Sequence, residues 1–362
     1  MKRSLAIVLA IALVFVAVAC AAPADSSQKA PQGSTGDKKT VGICMPTKEQ
    51  TIWPKQGDAL IERLTAAGFD TMIEFAEDAT ERQVMQIENM LMKGVDYLII
   101  TPVDGSTLTD SVEKAKKQGV TVISSDRLIL NTKDVDYYIT FDLKNIGTVQ
   151  ATYIEESLGL KEGKGPFNLE IFSGSPDDPN SIPFYEGAME VLKPYIDSGK
   201  LVVKSGQIDF NVNATQAWSG TTAQARMDNL LSSYYSDDKV DAVLVAADCL
   251  SVGVVSSLNS IGYGSEQRPY PVMTGSDCEL TAIEYIKDGK MSMTILVDPN
   301  LFADLAVDVI VALESGQPLE HQATYNNAVV DVPTYQYETK VIDKDNWEYL
   351  IEIGIYTEDE LK

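Results

Sequence analysis

Residues 121 to 129 read Thr-Val-Ile-Ser-Ser-Asp-Arg-Leu-Ile. An apolar run ends there in a carboxylate, Asp126, and a guanidinium, Arg127. Asp accepts hydrogen bonds and the Arg fork donates several in fixed geometry. A sugar hydroxyl is both donor and acceptor, so this pair of residue types suits polyol recognition. Residues 120–123 read as a buried strand, and ligands of open α/β sheets bind outside the carboxyl ends of strands. A solvated Asp-Arg pair in a surface loop is the competing reading of the dipeptide alone. The elements around it have to decide.

From Thr40 onward, strand and helix patterns alternate. Strands are predicted over 40–45, 69–75, 97–101 and 136–141, besides the central one at 120–123. A helix over 54–67 has Pro54 in its first turn and Gly68 as its stop. Thr80 with Gln83 three residues on reads as a capping box, with Val84, Ile87 and Leu91 as the inward stripe. The pattern then restarts. Helices are expected over 145–158, 181–192, 222–235, 250–261 and 280–288. Strands are expected over 166–172, 201–205, 240–245, 271–274 and 291–296. Continuous apolar strands between amphipathic helices imply parallel sheets covered on both faces. Two such series in 362 residues imply two doubly wound α/β lobes. A long helix over 301–313, a short strand near 328–332 and a final acidic helix complete the chain. No strand is followed by G-x-G-x-x-G or a Walker lysine loop, which leaves dinucleotide and phosphate cradles unsupported.

The amino terminus carries Lys2 and Arg3 before an apolar run from Leu5 to Ala19. That run is short for a membrane span and ends in small residues, as in a signal peptide. Ala17-Val18-Ala19-Cys20 resembles a bacterial lipobox, which implies a signal peptide over 1–19 and lipidation of Cys20. The competing reading is an ordinary signal peptide cut nearby. Residues 20–39 are rich in Ala, Pro, Gly, Ser, Gln and Lys and read as a flexible tether. The net charge is −24, and loss of Lys2 and Arg3 makes it two charges more negative. Nucleic-acid binding needs a basic footprint and is not expected. Cys44, Cys249 and Cys278 remain beside a single histidine, His321, with no CxxC. No metal site and no cofactor are expected. Cys249 and Cys278 each follow an Asp at a strand end, and free buried thiols are preferred there over a disulfide.

Longer segments now carry a resemblance. Gln86-Ile-Glu-Asn-Met90, Ser125-Asp-Arg-Leu128, Gly174-Ser-Pro-Asp-Asp178, Val191-Leu-Lys-Pro-Tyr195, Ala225-Arg-Met-Asp-Asn-Leu230 and Gly275-Ser-Asp277 resemble the type I periplasmic sugar-binding proteins. Within that class they are most similar to the D-xylose-binding and multiple-monosaccharide-binding receptors of ABC importers. The resemblance implies two lobes joined by a three-segment hinge. The first would comprise 40–141 plus 298–324, and the second 142–297 plus 325–362. The crossings would fall near 141–142, 297–298 and 323–325.

The resemblance also implies a pocket. Lys48 would donate to a hydroxyl and Trp53 would cover one sugar face. Asp126 and Arg127 would come from the central strand end, with Asp178, Asn180, Trp218, Asp248 and Asp277 from the second lobe. Bland alternatives stand beside several of these: a helix N-cap for Asp248, core packing for Trp53 and Trp218, and loop carboxylates for Asp126 and Asp277. Trp347 reads as core. Ile52, Ala247 and Val297 stand where relatives carry Arg, Asn and Lys. The implied function is a lipid-anchored, extracytoplasmic, non-enzymatic receptor, expected to be a monomer. It would capture a neutral pentose or hexose by hinge closure and deliver it to an ABC importer permease. A sugar receptor that presents its closed form to a chemoreceptor or sensor kinase is the alternative. A sugar-responsive repressor is disfavoured by the export signal and the absence of DNA-binding helices. A glycosidase would need two carboxylates about 5–10 Å apart across a scissile bond, but the paired Asp residues fall where sugar readers are implied.

Overall fold

A computed structural model describes residues 38–317 and 319–361. The first lobe is built on β1 (Thr40–Met45), β2 (Asp70–Phe75), β3 (Tyr97–Ile100), β4 (Thr121–Ser125) and β5 (Tyr137–Phe141). Between them run α1 (Ile52–Ala66), α2 (Thr80–Met92) and α3 (Thr109–Lys117). The second lobe begins with α4 (Leu143–Leu158), β6 (Phe167–Phe172), α5 (Ser181–Asp197), β7 (Leu201–Val202) and α6 (Phe210–Asn213). It continues through α7 (Gly220–Tyr234), β8 (Ala242–Val245), α8 (Asp248–Ser260), β9 (Val272–Met273), α9 (Leu280–Lys287) and β10 (Met293–Leu296). The chain then returns through α10 (Pro299–Ser315), β11 (Ala323–Asn326) and β12 (Asp331–Tyr337), and finishes with β13 (Lys340–Asp343) and α11 (Tyr349–Glu352).

Among the described residues, the first sheet has the order β11-β12-β5-β4-β3-β1-β2 and the second β7-β6-β8-β9. All pairs are parallel except β11 with β12. β3, fully buried, reads Tyr-Leu-Ile-Ile, as a strand covered on both faces must. β10 and β13 pair antiparallel. The Ser292 N–H donates to Met273 O at 3.0 Å, which sets β10 beside β9. β4 lies at the middle of the first sheet, and helices cover both sheets. Pro299 opens α10, where its missing N–H costs nothing, and the Asp298 side chain caps it by accepting from Asn300 N at 2.8 Å.

Three sequence expectations need correction. Residues 325–337 were expected in the second lobe, but β12 pairs in parallel with β5, Thr334 opposite Tyr138. Val332, Tyr335 and Tyr337 are buried against the first sheet's cores. The third crossing between the sheets therefore falls at 338–339, after β12. The Thr80–Gln83 capping box is absent. Gln83 is buried and its side chain is used elsewhere, donating to Thr101 O at 2.8 Å and accepting from Val103 N at 2.8 Å. Third, α1 begins at Ile52, which brings Trp53 into its first turn.

Candidate functional site

β4 ends at Ser125, and the next residue turns sharply. Asp126 has φ 59°, a left-handed conformation that a non-glycine residue keeps only where its surroundings demand it. Here they do. Its N–H donates to Ile139 O at 2.8 Å. Its carbonyl accepts from the Tyr138 hydroxyl, and from Thr140 Oγ1 at 3.1 Å. The side chain is thereby aimed out of the sheet, where Gln56 Nε2 donates to Oδ2 at 3.4 Å. Arg127 follows, buried, with its guanidinium 5.1 Å from the Trp53 ring centroid and Nη1 donating to Pro102 O at 3.3 Å. Trp53 is fixed in turn by Nε1 donating to Gln50 Oε1 at 2.9 Å.

The second lobe answers from the loop between β6 and α5. Asp178 Oδ2 stands 2.7 Å from Arg127 Nε and accepts from Trp218 Nε1 at 3.0 Å. Asn180 Nδ2 donates to Asp126 Oδ1 at 3.1 Å. Both contacts join one lobe to the other, so the two sheets meet here in a closed arrangement. Asn180 Oδ1 is buried and has no partner among the described residues, which leaves one acceptor unspent. Trp218 follows α6 in a turn where Ala217 and Trp218 have φ 54° and 51°. Its ring lies so close to Gly174 that a Cβ there would stand 2.0 Å from Cη2. Asp277 repeats the first lobe's device. It has φ 98°, and its N–H donates to Ile295 O at 2.8 Å.

Trp53, Asp126, Arg127, Asp178, Asn180, Trp218 and Asp277 converge on one cleft, together with Gln50, Ile52, Phe141, Phe184, Ala247, Cys249 and Ser276. Of the residues named from sequence, Trp53, Asp126, Arg127, Asp178, Asn180, Trp218 and Asp277 line the cleft. Two do not. Lys48 is exposed, with Nζ 4.9 Å over the Phe75 ring. Asp248 is buried behind the cleft, where it accepts from Glu279 N at 2.9 Å and from Thr294 Oγ1 at 2.9 Å. It braces the Asp277 loop rather than facing the cleft. Ile52 and Ala247 line the cleft, whereas Val297 is packed in the core. Gln50, Phe141, Phe184, Cys249 and Ser276 were not named from sequence. Phe141 ends β5 just as Asp126 follows β4, and the same strand-end rule would have found it. Among the described residues Cys44, Cys249 and Cys278 are free thiols, and Trp347 is partly buried against the second lobe's core. Cys20 lies outside the described residues.

Electrostatics sort the carboxyls. Burial pushes Asp126 up to about 6; the neighbouring Arg127 opposes that rise, Asp178 adds to it, and hydrogen bonds from Gln56 and Asn180 oppose it. Burial pushes Asp277 up to about 8, reinforced by the charges of Glu279 and Asp126. Asp248 is driven well above the ordinary carboxylate range, chiefly by burial. The cleft therefore offers acceptors, amide and guanidinium donors and two indole rings, with the one guanidinium already paired. Hydroxyl recognition against apolar ring faces suits that set.

Comparison with known proteins agrees with this geometry. A family model described as a periplasmic binding protein domain matches residues 41–318. The multiple sugar-binding periplasmic receptor ChvE of Rhizobium radiobacter is 48% identical over 329 residues, 90% of this chain and 93% of that protein. The D-xylose-binding periplasmic protein of Escherichia coli is 31% identical over 322 residues, 89% of this chain and 92% of its own. A solved structure of an ABC transporter solute-binding protein from Clostridium phytofermentans with bound β-D-glucose superposes with a TM-score of 0.85 at 42% identity. It covers 90% of this chain and 100% of that one. Among the described residues, no helix is long and apolar enough to cross a membrane. With a family model matching most of its length and close relatives spanning nine-tenths of it, the chain belongs to the periplasmic binding protein family, extracytoplasmic binding receptors that are not enzymes.

Proposed function

We propose that this chain captures a neutral monosaccharide, a pentose or hexose such as xylose, glucose or galactose, between its lobes and delivers it to an ABC importer permease. The observation that carries the reading is the cleft itself. Carboxyls and amide and guanidinium donors from both lobes converge there with Trp53 and Trp218. Relatives named for multiple sugars and for D-xylose, and a solved relative holding β-D-glucose, support the same ligand class. Asp126, Arg127, Asp178, Asn180 and Asp277 read the hydroxyls, while Trp53 and Trp218 cover C–H faces of the ring. A ligand held by groups from both lobes favours the closed state by its contacts with each. Cys20, acylated after cleavage of residues 1–19, tethers the receptor to the outer face of a membrane. Delivery to a permease requires only that the closed form be presented there.

Titration calorimetry of the mature protein with D-glucose, D-xylose and D-galactose tests the ligand class. Saturable one-to-one binding of at least one is expected, and no heat from any of them with folded protein overturns it. Mass spectrometry of the mature amino terminus tests the anchor. A diacylglyceryl cysteine at position 20 is expected, and a free amino terminus beyond Cys20 overturns it.

A further inference from the structure

Lys55 stands on α1 two residues beyond Trp53, and its side chain leaves its own lobe. Its Nζ lies 3.5 Å from the ring centroid of Tyr356. Tyr356 belongs to the carboxyl-terminal segment and is buried in the second lobe's core. Its hydroxyl donates to Cys278 O at 2.8 Å. Cys278 follows Asp277, so this tyrosine braces the left-handed turn that carries a cleft residue. One side chain of the first lobe therefore rests on the residue that holds the second lobe's carboxyl in place, and it does so outside the cleft. A cation over an aromatic face is attracted by the ring's negative quadrupole, more strongly where water is excluded. Lys55 is partly buried. The charged groups that face it are Glu360 and Glu279. Cys278 and Tyr356 are titratable neighbours, both held above their ordinary values chiefly by burial.

We propose that Lys55 is a cross-lobe latch: when the lobes meet, its ammonium seats on the Tyr356 ring, slows their separation and so slows ligand release. The contact exists only in the closed arrangement, because its two partners sit on different lobes. It therefore acts on dissociation and leaves association almost unchanged. Burial pushes Lys55 down to about 8, against the pull of the two glutamates. Lys55 is accordingly charged at pH 7.

The ligand arm of the test rests on the sugar-receptor reading; a second arm does not. In stopped-flow release of D-glucose from the mature protein at pH 7, Lys55→Met is expected to raise the dissociation rate about three- to thirtyfold, the range of one cation–ring contact. Lys55→Arg should stay near the wild-type rate. Tyr356→Leu should be at least as fast as Lys55→Met, because it also removes the hydrogen bond to Cys278 O, and the double variant should be no faster than Tyr356→Leu alone. Equal rates for Lys55→Met and wild type, or fully additive effects, would overturn the latch. If none of D-glucose, D-xylose and D-galactose binds the wild type, the sugar reading fails. The latch is then judged by energy transfer between dyes on the two lobes of the ligand-free protein. There Lys55→Met should lower the closed fraction by a similar factor, and an unchanged fraction overturns it.

Discussion

Two carboxyls presented by opposite lobes, Asp126 and Asp277, are left in different protonation states at neutral pH. With Asp126 near 6 and Asp277 near 8, the first is mostly ionised at pH 7 and the second mostly protonated. Both values lie above the ordinary carboxyl value of about 4. Each group's contribution to stability is therefore fully present below about pH 4 and is lost as pH rises, through 6 for Asp126 and through 8 for Asp277. Ligand hydroxyls that donate to these oxygens reverse the preference and draw protons off. Calorimetry at pH 7 in buffers of different ionisation enthalpy should show proton release on glucose binding, and Asp277→Asn should abolish most of it. Proton uptake, or release unaffected by that change, would mean that Asp277 donates to the sugar instead. Asp126→Ala removes charge-assisted hydrogen bonds worth about 1.5–3 kcal/mol each. A fall in affinity of at least about a hundredfold is expected, and unchanged affinity in a folded variant would remove Asp126 from the site. Asp126 and Arg127 were legible because an apolar strand ran directly into them. Asp248 misled because it too follows a strand end, yet its side chain points back to Thr294 and the Glu279 N–H. Direction of that kind is set by partners 46 and 31 residues away, and no local pattern carries it.

Among the elements, strand positions and helix stripes were largely readable, because burial on both faces leaves strands such as β3 and β8 uniformly apolar. Short connecting pieces were not. α6 and the turn at 216–218 lack periodicity, and their shape is set by what they pack on. Ser175 Oγ accepts from Ala217 N at 2.7 Å, and Gly174 leaves room for the Trp218 ring. That close approach makes a testable claim about how one element places a side chain in another. Gly174→Ala puts a methyl where the indole edge now lies, so the ring must swing away from Asp178 and the cleft. Loss of one aromatic face against the ligand corresponds to about 1–2 kcal/mol of apolar burial, or roughly tenfold in affinity. Calorimetry should show that loss, accompanied by a shift in tryptophan emission. Wild-type affinity with unchanged emission would mean that Trp218 does not cover the sugar. The capping box failed for a related reason. Thr80 and Gln83 have the right spacing, but the Gln83 amide is committed to the buried Thr101 O and the part-buried Val103 N, and leaving such groups unpaired costs at least as much as a cap contributes.

For the molecule as a whole, the two-lobe plan could be inferred from two successive strand–helix series, but the closing stretch could not be assigned to a lobe. β12 contains Pro333, which suits a strand near a sheet edge, and its parallel partner β5 lies almost 200 residues earlier in the chain. The strand expected near 328–332 falls at 331–337, and periodicity does not reveal its sheet. The charge distribution is a second property of the whole. The chain carries −24, and the cleft gathers Asp126, Asp178 and Asp277 around Arg127, whose guanidinium is already paired with Asp178. An incoming carboxylate or phosphate would find no uncommitted cation among the described lining residues. Lys48, exposed beside Phe75, does not line the cleft. An unpaired charge moved into a desolvated cleft is costly, and the surrounding negative field also opposes its approach. Salt separates the two effects, because it screens the long-range field over about 8–10 Å but not contacts inside the closed cleft. D-glucuronate and glucose 6-phosphate are therefore expected to bind at least about a hundredfold more weakly than D-glucose. Adding salt should speed their association without restoring the affinity. Competition calorimetry at low and high ionic strength measures the affinities, and stopped-flow mixing the association rates. If either anion binds tighter than every neutral sugar tried, Arg127 is free to receive it, and the pairing with Asp178 that closes the cleft must break when the ligand enters.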